Sequence, residues 1–329
     1  MIPWWKTDFG EPEIKAVTNA IHGRHISQGA ITRQFEGELA ETLGVPYVVC
    51  TTSGTTAITM ALLAAGVGPG YEVIVPDRTW IATAHAVMMT GATVKLADVD
   101  ENGLLPPEAV KGFSIPVHLN GRMSRAIDVV EDSCQSFPAP PRGLAACYSL
   151  SVAKIISTGQ GGFVATRDEG FAQELRALRT HDVADAMVPE VLTWKRFGYN
   201  FRFTDIQAAI GLAQLKRLPE RLEGIQIIHK AYKLGGVPVL ESPTPLYNEL
   251  LHPEPERLRA YLLAHGIEAR PFYPCLHTAP YLMPAHRTGY SDYEFPNAMK
   301  FASGLILPSG PCQALPHIER VCELVNDFR

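Results

Sequence analysis

The most informative segment of the chain spans residues 51–57 and reads Thr-Thr-Ser-Gly-Thr-Thr-Ala. It follows a short apolar run at 47–50, typical of a buried strand, and precedes apolar residues in helical spacing at Ile58, Ala61, Leu62 and Ala65. Where a strand passes into a helix, unpaired N–H groups and the positive end of the helix dipole favour a phosphate. Serine and threonine are also common as plain N-caps, so this segment alone leaves both interpretations open.

Short β-like runs alternate with helical patterns through the first 220 residues, which predicts an α/β domain with a mainly parallel sheet. Strands are expected at residues 72–76, 93–96, 114–118, 127–131, 147–150 and 162–166, and a helix from about Trp80. After Thr166 helices dominate, with one around residues 171–178. Another begins at the capping box of Thr204 and Gln207 and is expected to run to about residue 218, before Pro219.

The last hundred residues predict a smaller α+β unit. A helix around Leu258 ends at Gly266, a strand-like run follows at 267–270, and a closing helix carries Ile318 and Val321 on one face. At about 150 residues per domain, the length allows two domains. We expect a large α/β domain over residues 1–220 and a small C-terminal α+β domain over residues 221–329.

Composition excludes several classes of protein. The 329 residues are 46% hydrophobic and 19% charged, which rules out a disordered chain or a fibre, and a net charge of −5 argues against nucleic acid as a partner. Six cysteines form no C-x-x-C pair, so reduced thiols are expected and no metal site. No apolar stretch reaches the ~18 residues of a membrane span, and the start does not resemble a signal peptide, so we expect a cytoplasmic protein without membrane contact.

Two further residues are candidates for chemistry. Asp132 follows the strand predicted at 127–131 and would lie at the carboxyl edge where α/β proteins bind ligands. Taken alone, an aspartate at such a position more often caps the next turn. Lys154 lies between an apolar strand and the glycines of 159–162. Such a lysine is either a solvated loop residue or, when partly desolvated, a nucleophile for Schiff-base chemistry. No G-x-G-x-x-G pattern supports a dinucleotide site.

The order of these segments resembles the DegT/DnrJ/StrS family of sugar aminotransferases over most of the chain. The motifs that carry the resemblance lie at residues 53–57, 79–83 (Thr-Trp-Ile-Ala-Thr), 131–135 (Glu-Asp-Ser-Cys-Gln), 149–154, 158–162 (Thr-Gly-Gln-Gly-Gly) and 199–202 (Tyr-Asn-Phe-Arg). The resemblance implies an aspartate aminotransferase-like fold (PLP fold type I), with a large three-layer α/β/α domain and a small α+β domain. It also implies pyridoxal 5'-phosphate (PLP) as cofactor, alternating with its pyridoxamine form.

The resemblance assigns roles to single residues. Lys154 would hold the cofactor covalently and move protons, and Asp132 would pair with its pyridinium nitrogen. Gln135 would hydrogen-bond the ring's 3-oxygen, and Trp80 would stack on the ring unless it is only a core aromatic. The phosphate would be held by Ser53, Gly54, Thr55 and Ser149.

Three residues outside these motifs are assigned more loosely. Asn200 matches the family residue that reaches the phosphate of the neighbouring subunit, which implies a homodimer with shared active sites, although a loop residue at a helix entry fits its spacing as well. His181 and His277 fall in family-like segments and are candidate substrate contacts. A loop histidine is often structural, and this alternative stays open for both.

The chain is short for this family at specific places. Residues 120–129 are too few for the crossover helix expected between parallel strands, so a loop is predicted there. The stretches 136–143 and 234–253 are also trimmed. Arg122 and Arg125 flank the first gap, where they could bind a substrate phosphate or be exposed loop residues. These shortened stretches do not include the residues expected to bind the cofactor. They affect the expected substrate more than the expected cofactor chemistry.

The function implied is an aminotransferase that converts a keto-sugar, expected to be nucleotide-linked, to an amino-sugar. An amino acid such as glutamate would load the cofactor first, in a ping-pong cycle through Lys154. An aminocyclitol aminotransferase acting on a keto-inositol fits the same motifs. Sugar dehydration is disfavoured because those relatives replace the lysine with histidine, and a catalytically silent regulatory or scaffold member would be expected to lack Lys154 or Asp132.

Overall fold

The computed structural model describes residues 1–183, 196–282 and 290–328. Its larger β-region contains six strands: β1 (Tyr47–Thr51), β2 (Glu72–Pro76), β3 (Thr93–Ala97), β4 (Val130–Asp132), β5 (Ala145–Ser149) and β6 (Gly162–Thr166). The strands pair in the orders β1-β6-β5-β4 and β2-β3. The β2–β3 and β4–β5 pairs are parallel, whereas β6 runs antiparallel to both of its neighbours.

The segment 114–118 joins these two groups of strands. It forms parallel bridges from Ser114 to Ile74 of β2 and from Val117 to Asp132 of β4. We predicted a strand here, and the structure has isolated bridges instead. Pro116 has no N–H to donate, so a continuous ladder is broken at this point, although its carbonyl still accepts from the Asp132 N–H at 2.9 Å. The central sheet therefore runs β3-β2-(114–118)-β4-β5-β6-β1 and is mostly parallel.

The described helices are α1 (Glu11–His22), α2 (Ala30–Leu43), α3 (Gly54–Ala64), α4 (Ala82–Met89), α5 (Glu169–Arg179), α6 (Asp205–Lys216), α7 (Leu218–Leu234), α8 (Pro255–Ala264), α9 (Pro296–Lys300) and α10 (Leu315–Asp327). Alternate residues of the central strands enter two different cores: Val48 packs in a cluster with Phe35 of α2, and Val49 in a cluster with Ile58 of α3. Because successive side chains of a strand point to opposite faces, the sheet is covered on both sides, as a three-layer domain requires.

A second, antiparallel sheet contains β7 (Asn248–Leu251), β8 (Arg270–Pro271) and β9 (Gly304–Leu307) in the order β7-β9-β8. Its core is formed with α8 and α10, from Leu258, Leu262, Ile318 and Val321 among others. The N-terminus joins this unit, since Ile2 bridges Ile267 and Trp5 bridges Ser309. The division at residue 220 stays a prediction.

Several predicted boundaries were wrong by a few residues. The strand expected at 127–131 is β4 and begins at Val130, the helix expected from Trp80 begins at Ala82, and the strand-like run 267–270 is reduced to β8 and a single bridge at Ile267. The helix expected to run to about 218 ends at Lys216, because α7 begins at Leu218 with Pro219 in its first turn. A proline costs little there, where the N–H groups lack helical partners anyway.

The missing crossover helix is confirmed, since residues 120–129 contain no helix. The short loop instead packs directly against the segment that leads into β7. The Asn120 side chain donates to the Tyr247 carbonyl at 2.8 Å and accepts from the Tyr247 N–H at 2.6 Å. Gly121 has a φ of +74°, and a Cβ there would lie 1.9 Å from the Thr244 carbonyl oxygen, so only glycine fits this approach.

Within the described residues, no helix is both long and apolar enough to cross a lipid bilayer. All six cysteines are unpaired thiols.

Candidate active site

A cavity of about 520 Å³ lies at the carboxyl ends of β1, β4 and β5 and is closed on its other side by residues near β7 and β8. Eight of the nine residues predicted to bind the cofactor line it: Ser53, Gly54, Thr55, Trp80, Asp132, Gln135, Ser149 and Lys154. We call Ser53, Gly54, Thr55, Asp132 and Ser149, which follow or end the strands, the floor of the cavity. We call Trp4, Tyr247, Arg270 and Tyr273 the rim.

The floor includes a cradle of free N–H groups and hydroxyls at the start of α3. Ser53 caps this helix, with its hydroxyl accepting from the Thr56 N–H at 3.1 Å. The N–H groups of Gly54 and Thr55 donate to no group within the described residues, as expected of the first turn of a helix. A Cβ at Gly54 would lie 2.8 Å from Cys134 Sγ, so glycine keeps the helix start close to β4 and β5. Free N–H groups and the helix dipole together favour an anion here.

Asp132 supplies a buried carboxylate without a cationic partner. Its side chain accepts from Thr83 Oγ1 at 2.8 Å and from the Cys134 N–H at 3.0 Å, and the residue is 5% exposed. Among the described residues no lysine, arginine or histidine forms an ion pair with it. A buried carboxylate is costly unless a positive charge compensates it, so this geometry suits a cationic ring nitrogen of a ligand. Thr83 was not predicted; its only signal was a hydroxyl in the 79–83 motif.

Lys154 faces the same cavity, with its Nζ 6.0 Å from the centre of the Tyr247 ring. The Tyr247 hydroxyl donates to the carbonyl of Ala153, so it fixes the backbone next to the lysine. Burial raises the pKa of the Tyr247 and Tyr273 phenols, which therefore stay protonated. Both tyrosines were missed, because single aromatic residues in a loop carry no periodic signal.

Gln135 and Trp80 lie between the floor and the rim. Gln135 Oε1 accepts from the Asn120 N–H at 3.1 Å, and its amide donates to the Tyr273 hydroxyl at 3.0 Å. Trp80 is 54% exposed and packs edge-on against Tyr273, with ring centres 5.0 Å apart. A half-exposed tryptophan in a cavity wall leaves one ring face for a ligand, and this argues against a purely core role.

Three predicted residues lie elsewhere. Asn200 and His181 are exposed and outside the cavity, and the Asn200 amide oxygen accepts from Arg202. His277 is buried, with Nδ1 2.7 Å from Asp77 and Nε2 3.0 Å from Asp292, and it does not line the cavity. Both of its ring nitrogens are thus occupied by carboxylates within the chain.

The arginines at the trimmed crossover also have partners. Arg122 pairs at 2.9 Å with Glu249 of β7, which is fully buried and also pairs with Arg78. Arg78 lies between the rings of Phe272 and Phe301. The suggestion that Arg122 could bind a substrate phosphate is therefore not supported. Arg125 is exposed, 3.8 Å from Asp100.

The residues present fit pyridoxal phosphate. Free N–H groups and hydroxyls at the start of α3 suit its phosphate, the uncompensated carboxylate of Asp132 suits its pyridinium nitrogen, and Lys154 is the amine that can bind its aldehyde. The Cys134 thiol beside Asp132 stays neutral, because burial and the nearby carboxylate raise its pKa.

Known proteins share this architecture and this sequence pattern. The aminotransferase TlmJ from Streptoalloteichus hindustanus superposes with a TM-score of 0.87 at 25% identity, over 99% of this chain and 98% of TlmJ. DesV of S. venezuelae gives a TM-score of 0.85 at 26% identity, over 96% and 93% of the two chains. In sequence, the spore coat polysaccharide biosynthesis protein SpsC of Bacillus subtilis (strain 168) is 28% identical over 99% of this chain and 97% of its own length. The GDP-perosamine synthase of Caulobacter vibrioides is 33% identical over 77% of this chain and 79% of its own length.

The fold and the site define an aminotransferase of PLP fold type I. Within this class, residues 7–326 match the DegT/DnrJ/EryC1/StrS aminotransferase family, and the chain belongs to that family. The resemblance stated from the motifs is confirmed.

Proposed function

We propose that this aminotransferase uses PLP to convert a keto group on a nucleotide-linked sugar to an amine, with an amino acid such as glutamate as donor. One observation carries the proposal: within the described residues, a single cavity is lined by Lys154, by the Asp132 carboxylate that has no cationic partner, and by the first turn of α3 with its free N–H groups. The relatives in sequence are named for polysaccharide and perosamine biosynthesis, which supports a sugar acceptor.

Different residues of the chain would have different roles in the reaction. When bound, PLP supplies an electron sink that stabilises negative charge on the substrate carbon. Asp132 would keep the ring nitrogen protonated, and its hydrogen bonds from Thr83 and Cys134 hold the carboxylate in one orientation. Lys154 would hold the cofactor between turnovers and, once released, carry the proton to and from the substrate carbon. Gln135 would donate to the ring's 3-oxygen in place of its contact with Tyr273.

The proposal includes a homodimer in which Asn200 of one subunit completes the phosphate site of the other. Asn200 is exposed and outside its own cavity, as a residue that serves a neighbouring subunit would be. Mixing the inactive variants Lys154→Ala and Asn200→Ala tests this. A shared site restores activity in the mixture, because some sites then contain neither change, whereas self-contained sites leave the mixture as inactive as its components.

The acceptor is tested by loading the enzyme with glutamate and offering nucleotide-linked keto-sugars and, in parallel, a keto-inositol. We expect the amino-sugar product and the return of the PLP spectrum with at least one keto-sugar nucleotide. Turnover with the keto-inositol alone would replace the proposal with the aminocyclitol reaction. Glutamate that fails to change the cofactor at all would point to a catalytically silent member.

A further inference from the structure

Arg270 is a positively charged side chain at the rim that the cofactor chemistry does not use. It lines the cavity from β8, and its side chain is 53% exposed. Of the described residues that line the cavity, only Lys154 and Arg270 are a lysine or an arginine. Because Lys154 is required for the cofactor and the phosphate cradle is made of N–H groups and hydroxyls, Arg270 is the cation left for an anionic part of the substrate.

The Arg270 guanidinium lies over the Trp4 ring, with 4.3 Å from its Cζ to the ring centre. Hydrogen bonds hold the Trp4 backbone: its backbone N–H donates to the Glu268 carboxylate at 3.3 Å, and its carbonyl accepts from the Ser309 N–H at 2.7 Å. When an arginine stacks on an aromatic ring, its N–H donors point outward in the plane of the guanidinium. There they can bind an oxyanion by two parallel hydrogen bonds.

The guanidinium is only partly satisfied within the chain. Nε and Nη2 both donate to one oxygen of Glu268, at 3.3 and 3.2 Å. Nη1 donates to no group in the part of the chain that the structure describes. Since the pair with Glu268 is on the surface, its contribution is small and an incoming oxyanion can compete with it.

The position of Arg270 relative to Lys154 indicates which anionic group of a substrate it can bind. Tyr247 lies next to Lys154, the Trp4 ring is 5.9 Å from the Tyr247 ring, and Arg270 covers Trp4, so two aromatic rings separate the two cations. The α-carboxylate of an amino-acid donor is bonded to the carbon that reacts, and must bind close to Lys154. A diphosphate on the sugar is separated from the reacting carbonyl by the sugar ring.

We propose that Arg270, stacked on Trp4, is the specificity-determining residue that binds the diphosphate between the sugar and its nucleoside. This deepens the proposed function and rests on it, because it names the acceptor as a nucleoside diphosphate sugar. A keto-inositol lacks this anion and gains nothing from Arg270.

The test compares the holoenzyme with its Arg270→Gln and Arg270→Lys variants. Arg259→Gln is the matched control. The Arg259 side chain is 39% exposed and lies outside the cavity, and it pairs with Glu256 three residues away, much as Arg270 pairs with Glu268 two residues away. Calorimetry measures the binding of UDP, GDP and dTDP and of the three corresponding nucleosides. Stopped-flow absorbance measures the half-reaction with glutamate.

We expect Arg270→Gln to weaken the binding of the preferred nucleoside diphosphate by about 10- to 100-fold, the range for a lost charged hydrogen-bond pair. Arg270→Lys retains part of the affinity, because it keeps the charge and loses the planar donors. Nucleoside binding, the glutamate half-reaction and the Arg259→Gln control stay unchanged.

Equal diphosphate binding by the wild type and Arg270→Gln overturns the proposal, and so does a wild type that binds none of the three diphosphates. A glutamate half-reaction that weakens in Arg270→Gln also overturns it, because the subsite would then belong to the side-chain carboxylate of the donor. These failures leave the wild-type half-reaction intact. Failure of the proposed function shows instead as a wild type without a glutamate half-reaction, or as turnover with the keto-inositol alone.

Discussion

The floor and the rim of the cavity are built from different kinds of sequence. Each floor residue stands at or just after the end of a central strand: Ser53 after β1, Asp132 at the end of β4 and Ser149 at the end of β5. The rim residues come from the N-terminus, the approach to β7 and the region of β8, which lie far apart in the chain and come together at the small sheet. In the proposed function the floor binds the cofactor, whereas the rim faces the variable part of the substrate. Loss of a floor residue should therefore affect every substrate, and loss of a rim residue should depend on the acceptor.

The largest effect is expected at Asp132. Asp132→Asn should slow the glutamate half-reaction by roughly 10²–10⁴-fold, because the ring nitrogen loses the charge that keeps it protonated. Thr83→Val should cost only about 10-fold, since it removes one hydrogen bond that orients the carboxylate. Single-turnover absorbance measures both.

Thr42→Val, which changes an exposed hydroxyl on α2, is the control and should leave the rate unchanged. An Asp132→Asn variant as fast as the wild type would show that the floor does not act through this carboxylate.

The next effect concerns the ion pairs that join the small sheet, which carries the rim, to the large domain, which carries the floor. Glu249 is buried between Arg78 and Arg122, so Glu249→Gln leaves two buried arginines without a carboxylate. We expect the free energy of unfolding to fall by about 3–5 kcal/mol. Chemical denaturation measures it, with Glu256→Gln as the exposed control that should change stability by less than about 1 kcal/mol. Equal stabilities of the two variants would mean that this triad does not hold the two regions together.

A smaller effect is expected from Gly162, the first residue of β6, which lies behind the floor. A Cβ at Gly162 would lie 2.4 Å from the backbone of Ser53, which caps α3. Gly162→Ala should therefore lower stability by about 1–3 kcal/mol and weaken cofactor binding, because the cradle must move. Gly37 on α2 has open space around it, so Gly37→Ala should raise stability by about 0.5–1 kcal/mol. Thermal unfolding measures the stability of both variants, and titration with PLP measures cofactor binding. A Gly162→Ala variant with unchanged stability and cofactor binding would contradict the close approach of Gly162 to Ser53.

The smallest effect is a pH dependence at His277. Burial lowers the pKa of its imidazole, but hydrogen bonds to Asp77 and Asp292 outweigh this and raise the pKa above the usual 6.5. The folded protein thus binds the proton more tightly, so this stabilisation is complete below about pH 6.5 and is lost as the pH rises through the folded-state pKa. The free energy of unfolding of the wild type should fall over that interval. His277→Gln should show a flatter profile, and parallel profiles would refute the assignment.

The sequence could predict the floor because a local rule places it. Residues that follow parallel strands meet at one edge of the sheet, and this made residues 51–57 and Asp132 candidates for ligand binding. Ser149 was added only by the resemblance to the family. The motif order added the cofactor, the fold and the family, and of these the fold and the family are confirmed.

The rim could not be predicted in this way. Tyr247 enters the cavity because Asn120 binds its backbone from a loop shorter than a crossover helix, and neither residue carries a pattern that names the other. Arg122 was left open between a substrate contact and an exposed residue, but its buried partner Glu249 lies 127 residues away in the chain. Contacts of this range depend on tertiary packing, which local patterns do not encode.

The central claim is that the cavity binds PLP through Lys154. The purified protein is incubated with PLP, reduced with borohydride to fix any covalent link, digested and analysed by mass spectrometry. The account predicts one modified peptide, with the cofactor on Lys154, and none when the same procedure is applied to Lys154→Ala. Modification of other lysines only, or no modification under saturating PLP, would contradict it.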